Sequence, residues 1–118
     1  MVEVAEKVDR IISEYLSDVS KHIAIDKAYV YGSYASGRHD GQSDLDIAIF
    51  SDGFKDYSFV DAVTFLLSLA RKYRDVCIDP VAFTVSDLQE DNPFIKGILA
   101  TGKEITELKG QHTELRRP

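Results

Sequence analysis

The stretch Tyr31-Gly32-Ser33-Tyr34-Ala35-Ser36-Gly37, followed by Ser43-Asp44-Leu45-Asp46-Ile47, decides how this chain folds. Lys27 to Tyr31 reads as a strand that Gly32 ends. Leu45 to Phe50 reads as a second strand, closed by Ser51-Asp52-Gly53. Between them, Arg38 to Ser43 is a polar turn with Asp40-Gly41 as its signal. Side chains alternate along a strand, so Asp44 and Asp46 share one face. Leu45, Ile47 and Ile49 take the other face and enter a core. Carboxylates about 7 Å apart on one strand face repel each other unless a cation lies between them. Magnesium suits such hard oxygen donors.

Upstream, Val4, Val8, Ile11, Ile12, Tyr15, Leu16, Val19 and Ile23 recur at three- and four-residue spacing, which predicts an amphipathic helix. Downstream, Ser58 and Asp61 form a capping pair for a second helix. Phe59, Val63, Leu66, Ala70 and Tyr73 make its buried stripe. Val60, Leu67 and Leu69 widen it, so the helix is expected to be deeply packed. Arg71, Lys72 and Arg74 complement its C-terminal dipole. Val76 to Phe83 is a third strand. Asn92-Pro93 opens a third helix whose apolar face is Phe94, Ile95, Ile98 and Leu99, and Gly102 stops it. Lys103 to Thr106 is a short final strand. This order predicts a small α/β (α+β) domain, a mixed sheet of about four strands with helices mainly on one face. The domain is expected over residues 1–106, with 107–118 as a tail or partner-contacting extension.

The chain has 118 residues, 44% of them hydrophobic and 29% charged, the proportions of an ordinary globular domain. Its net charge of −6 argues against a nucleic-acid groove, which needs a basic face. No apolar run reaches membrane-spanning length, and the N-terminus lacks a signal-peptide core. The single cysteine, Cys77, cannot pair within the chain, so a cytoplasmic setting is the expectation. Cys77 itself reads as a small buried hydrophobe. His22, His39 and His112 show no ligand spacing.

The chemistry gathers around the opening stretch. Gly32-Ser33 lies at a strand end and can open a short helix through Ala35. Its backbone N–H groups and the Ser33 hydroxyl would then cap phosphate oxygens. Gly32 lets a phosphate approach the backbone without a Cβ in the way. Asp44 and Asp46 can hold one or two Mg²⁺ ions. Asp79 is the third carboxylate, since a charge inside the apolar run Val76 to Phe83 is costly unless paired or bound to metal. It shares a face with Val81 and Phe83, and could both ligate metal and accept a proton.

Gly32-Ser33, Asp44-Leu45-Asp46 and the later Asp79 resemble the motif of the DNA polymerase β-type nucleotidyltransferase superfamily. Within it, Gly-Ser-Tyr-Ala-Ser-Gly from Gly32 and Ser-Asp-Leu-Asp-Ile from Ser43 resemble the minimal nucleotidyltransferase (MNT) family. The segment Asn92-Pro93-Phe94 to Gly102-Lys103 is similar to that family's C-terminal helix and strand. The likeness spans residues 1–106. It implies a mixed-sheet fold, Mg²⁺ dependence and ATP as donor. It also implies a small helical HEPN toxin as partner, neutralised by transfer of AMP to one of its tyrosines. Catalytic and metal roles then fall to Asp44, Asp46 and Asp79, and triphosphate binding to Gly32, Ser33 and Arg38. The chain departs from many relatives at Ser36, where they carry Arg; here Arg38 follows two positions later. Two other functions fit the same residues: a non-catalytic antitoxin that covers its partner, or a nucleotidyltransferase acting on a small molecule.

Overall fold

A computed structural model describes residues 2–36 and 44–105 of the chain. Helix α1 (Val2–Ser20) leads into strand β1 (Lys27–Tyr31), the one-turn helix α2 (Ser33–Ser36) and strand β2 (Leu45–Phe50). Helix α3 (Phe59–Ala70), strand β3 (Ile78–Phe83), helix α4 (Pro93–Thr101) and strand β4 (Lys103–Glu104) follow. Two 3₁₀ turns, Asp52–Asp56 and Val85–Gln89, join β2 to α3 and β3 to α4. Residues 37–43 lie outside the described residues, and with them the turn expected from Arg38 to Ser43, as do Thr106, the tail expected over 107–118 and His112.

The four strands form one mixed sheet in the order β3-β2-β1-β4. β1 runs antiparallel to β2 and β4, while β2 and β3 are parallel. β2 is the centre: Leu45, Ile47, Ala48, Ile49 and Phe50 have no exposed surface. A strand flanked on both sides must bury both faces, and the apolar run supplies the residues for that.

Helices α1 and α3 cover one face. Ile11, Ile12, Tyr15, Leu16 and Val19 of α1 pack with Ala62, Leu66 and Ala70 of α3 over Leu45, Ile47 and Ile49. Tyr15 ties the two helices together, its hydroxyl donating to the Leu66 carbonyl at 2.9 Å. On the opposite face a smaller cluster joins Tyr29, Ala48 and Phe50 to Ile95 and Ile98 of α4. The expected fold is therefore present, with α4 and Leu88 of the second 3₁₀ turn on the other face.

Local signals account for the helix ends. Ser58 accepts the Asp61 N–H at the start of α3, and Asn92 accepts the N–H groups of Phe94 and Ile95 at the start of α4. Gly102 caps the end of α4.

Four expectations need correction. α3 is not deeply packed: Phe59 is 58% exposed, Val60 69% and Leu67 41%. Its sheet-facing stripe is Ala62, Leu66 and Ala70 at strict i, i+4 spacing, with Phe65 and Leu69 half-buried at its margins, while Phe59, Val60 and Leu67 face outward. The basic residues after α3 do not serve its dipole alone, because Lys72 pairs with Asp18 of α1 at 2.9 Å. β3 starts at Ile78, two residues later than expected. Cys77 is exposed, since it precedes the strand at the sheet rim.

Candidate active site

The carboxylate groups gather because β2 sits between β1 and β3. In register, Asp46 lies opposite Tyr31 on one side and Asp79 on the other. Asp46, Ala48 and Phe50 share the face that α4 covers only in part, so the acidic end of that face stays open. Asp44 and Asp79 are exposed there, and Asp46 is half-buried. Contrary to expectation, the Asp79 charge is not buried among apolar neighbours, because α4 leaves this end of the face uncovered.

Asp46 and Asp79 are register partners on neighbouring strands, so their carboxyl groups lie side by side on this face. Burial first, and then the neighbouring Asp79 and Asp44 carboxylates, push the Asp46 carboxyl up to about 6. Asp44 lies beside the Cys77 thiol. Burial, with the charges of Asp44, Asp79 and Asp46, raises that thiol above its ordinary range. The Tyr31 phenol is pushed up to about 12, by burial first and then by Asp46 and Asp79.

Gly32 is held against this cluster. Its φ of +74° lies in the left-handed region, and a Cβ there would stand 2.3 Å from Oδ2 of Asp46. Both facts call for glycine. The space left by the missing side chain holds the Asp46 carboxylate. The Gly32 carbonyl accepts the Ala35 N–H at 3.1 Å, which winds the backbone of Ser33 into α2 at the same end of the sheet.

Gly32, Asp44, Asp46 and Asp79 thus come together, with the Ser33 backbone beside them; Arg38 lies outside the described residues. Tyr31 and Cys77 also belong to the cluster. Sequence parity shows that Asp44 and Asp46 share a face, but Tyr31 and Cys77 reach them only through strand pairing. Among the described residues, no group of three or more His, Cys, Asp or Glu side chains is arranged to hold a metal ion. The donor chemistry nevertheless fits a hard cation. The carboxylates of Asp44, Asp46 and Asp79 crowd one another, and clustered oxygen donors of this kind suit such an ion. No helix among the described residues is long and apolar enough to cross a membrane.

The family model for polymerase beta nucleotidyltransferases matches residues 11–111. The chain belongs to that family. The match contains both halves of the Gly-Ser and Asp-Leu-Asp motif and all of β1 to β4. A Sulfolobus solfataricus protein assigned as a nucleotidyltransferase, solved at 1.40 Å, has the same fold at 21% identity and a TM-score of 0.60. The alignment covers 75% of this chain and 77% of that one. A second structure assigned to the nucleotidyltransferases aligns at 22% identity over 86% of this chain and 96% of its own, with a TM-score of 0.47. No curated protein matches.

Proposed function

We propose that the protein is a Mg²⁺-dependent nucleotidyltransferase that moves AMP from ATP to a tyrosine hydroxyl of a helical HEPN toxin and so acts as its antitoxin. The observation that carries the activity is the register that sets Asp46 beside Asp79, with Asp44 two residues away and Gly32 closed against Asp46. The tyrosine acceptor and the HEPN partner rest on the resemblance of the Gly32-Ser33 and Asp44-Leu45-Asp46 segments to the minimal nucleotidyltransferases.

In this reading Asp44, Asp46 and Asp79 hold the metal, which when bound neutralises phosphate charge and favours pyrophosphate as leaving group. The backbone of Ser33, turned into α2 by Gly32, and the side chain of Arg38 receive phosphate oxygens. Asp79, the exposed member on the edge strand, accepts the proton of the acceptor hydroxyl. The acceptor oxygen bonds to the α-phosphorus, and the bond from that phosphorus to the pyrophosphate breaks.

The test is incubation with labelled ATP, Mg²⁺ and a purified helical protein of the HEPN type. Label should pass to the partner, and Asp79→Asn should slow transfer about 100-fold. Absence of transfer, or equal transfer by Asp44→Ala, overturns the reading. A second reading, neutralisation by covering the toxin, draws on the exposed Phe59, Val60 and Leu67 of α3. If an Asp44→Ala/Asp46→Ala variant still rescues growth against the toxin, that second reading holds instead.

A further inference from the structure

The face that carries the carboxylates also carries a row of aromatic rings. Tyr29 meets Phe50 edge-on at 6.0 Å, and Phe50 stacks on Phe83 at 5.2 Å. Phe83 is tilted against Phe94 at 6.1 Å, and Phe94 meets Tyr31 edge-on at 5.8 Å. Tyr29 and Phe50 are buried, and Tyr31 and Phe83 are half-buried. Phe94 is 49% exposed, and there the row reaches solvent.

That exposed ring is held firmly. Pro93 occupies the first position of α4, and Asn92 Oδ1 accepts the Phe94 N–H at 2.9 Å and the Ile95 N–H at 3.3 Å. Ile95 and Ile98 anchor the same helix in the second core cluster. The ring is also adjacent to the acidic cluster. Tyr31 touches Phe94 and lies opposite Asp46 in the sheet. One strand spacing and one ring contact therefore separate the carboxylates from Phe94, on the order of 10 Å. A ribose and its phosphates span such a gap.

We infer that Phe94 is the platform on which the base of the bound nucleoside triphosphate stacks, with the phosphates directed toward Asp44, Asp46 and Asp79. This rests on the nucleotidyltransferase reading and adds where the donor's base is held. The chemistry at the start of α4 selects a base over a phosphate. Asn92 already accepts the first N–H groups of the helix, and Glu90 and Asp91 beside it repel an anion. Lys96, the nearby cation, is paired with Asp91. A neutral aromatic face is indifferent to that field, and stacking on an aromatic ring tolerates any base.

Titration calorimetry with ATP and with inorganic tripolyphosphate, both with Mg²⁺, tests the platform. Phe94→Ala should weaken ATP about 10-fold or more while leaving tripolyphosphate affinity within about twofold. The chain contains no tryptophan, so Phe94→Trp places a single indole at the site. Phe94→Trp should keep ATP binding, and ATP should quench its emission where tripolyphosphate does not. Equal loss of both ligands in Phe94→Ala marks a structural role and overturns the platform. So do unchanged ATP affinity in Phe94→Ala or an indole emission blind to bound ATP. If Phe94→Ala binds ATP normally but loses a protein partner, the exposed ring is a protein contact and the platform is wrong. If the unaltered protein binds neither ATP nor tripolyphosphate, the nucleotidyltransferase reading falls as well.

Discussion

Gly32 shows how closely conformation and chemistry are joined at the level of one residue. Its left-handed backbone and its contact with Oδ2 of Asp46 are separate demands. Gly32→Ala should therefore destabilise the protein by about 1–2 kcal/mol for the backbone, with more for the clash. Urea denaturation of a double-mutant cycle separates the two. With Asp46→Ala in place the carboxylate is gone, and Gly32→Ala should cost only the backbone part. Equal costs in both backgrounds would mean that Asp46 does not constrain Gly32. The pair Asp44 and Asp46 was legible from period-two alternation alone. The pairing of Asp46 with Asp79 was not, because a parallel register is set by hydrogen bonds between distant strands. The partial exposure of Phe94 is not legible for a different reason. At positions 94, 95, 98 and 99 it fits a helical apolar stripe, and hydrophobicity does not distinguish a ring that seals a core from one that faces solvent.

Among the elements, α1 and the segment after α3 are clamped through Asp18. Its carboxylate accepts from the Tyr73 hydroxyl at 2.5 Å and pairs with Lys72 at 2.9 Å, beside a shallow open depression lined also by Ser13, Glu14 and Ser17. Burial alone would raise the Asp18 pKa. The bonds from Tyr73 and Lys72, with the charges of Lys72 and Lys21, outweigh it and hold the group below its usual 3.8. A depressed carboxyl contributes stability that is present above its unfolded pKa and lost as pH falls through the folded one. Asp18→Asn should accordingly lower stability by about 1 kcal/mol at neutral pH. That difference should shrink as the medium is taken below pH 3.8, followed by urea midpoints of both proteins. A constant difference across that range would assign the effect to packing. Most helices and strands were legible because caps and periodicity agree with their final place. α3 was legible in extent but not in depth. Its composition is apolar nearly all round, and only the position of the sheet shows that Ala62, Leu66 and Ala70 are its inner side.

At the scale of the molecule, β3 forms the longer of the two sheet edges, opposite the two-residue β4. The Leu45 N–H donates to the Cys77 carbonyl and the Ser51 N–H to the Phe83 carbonyl. Odd-numbered residues of this segment thus turn their backbone groups toward β2, and Pro80 belongs to the outward set. Proline has no N–H to offer another strand, so it interrupts the edge at its middle. Pro80→Val restores that donor and should increase self-association, seen by light scattering as a rise in mass with concentration. A strictly monomeric variant would show that the edge is protected by something else. β2, by contrast, has neighbours on both sides and a side chain with no exposed surface at nearly every position. Its amides should be among the slowest in the protein to exchange with deuterium, opening only when the whole domain unfolds. Asp46 rides on that strand. The carboxylate cluster is therefore fixed to the most persistent part of the molecule, and whatever reacts there must come to it.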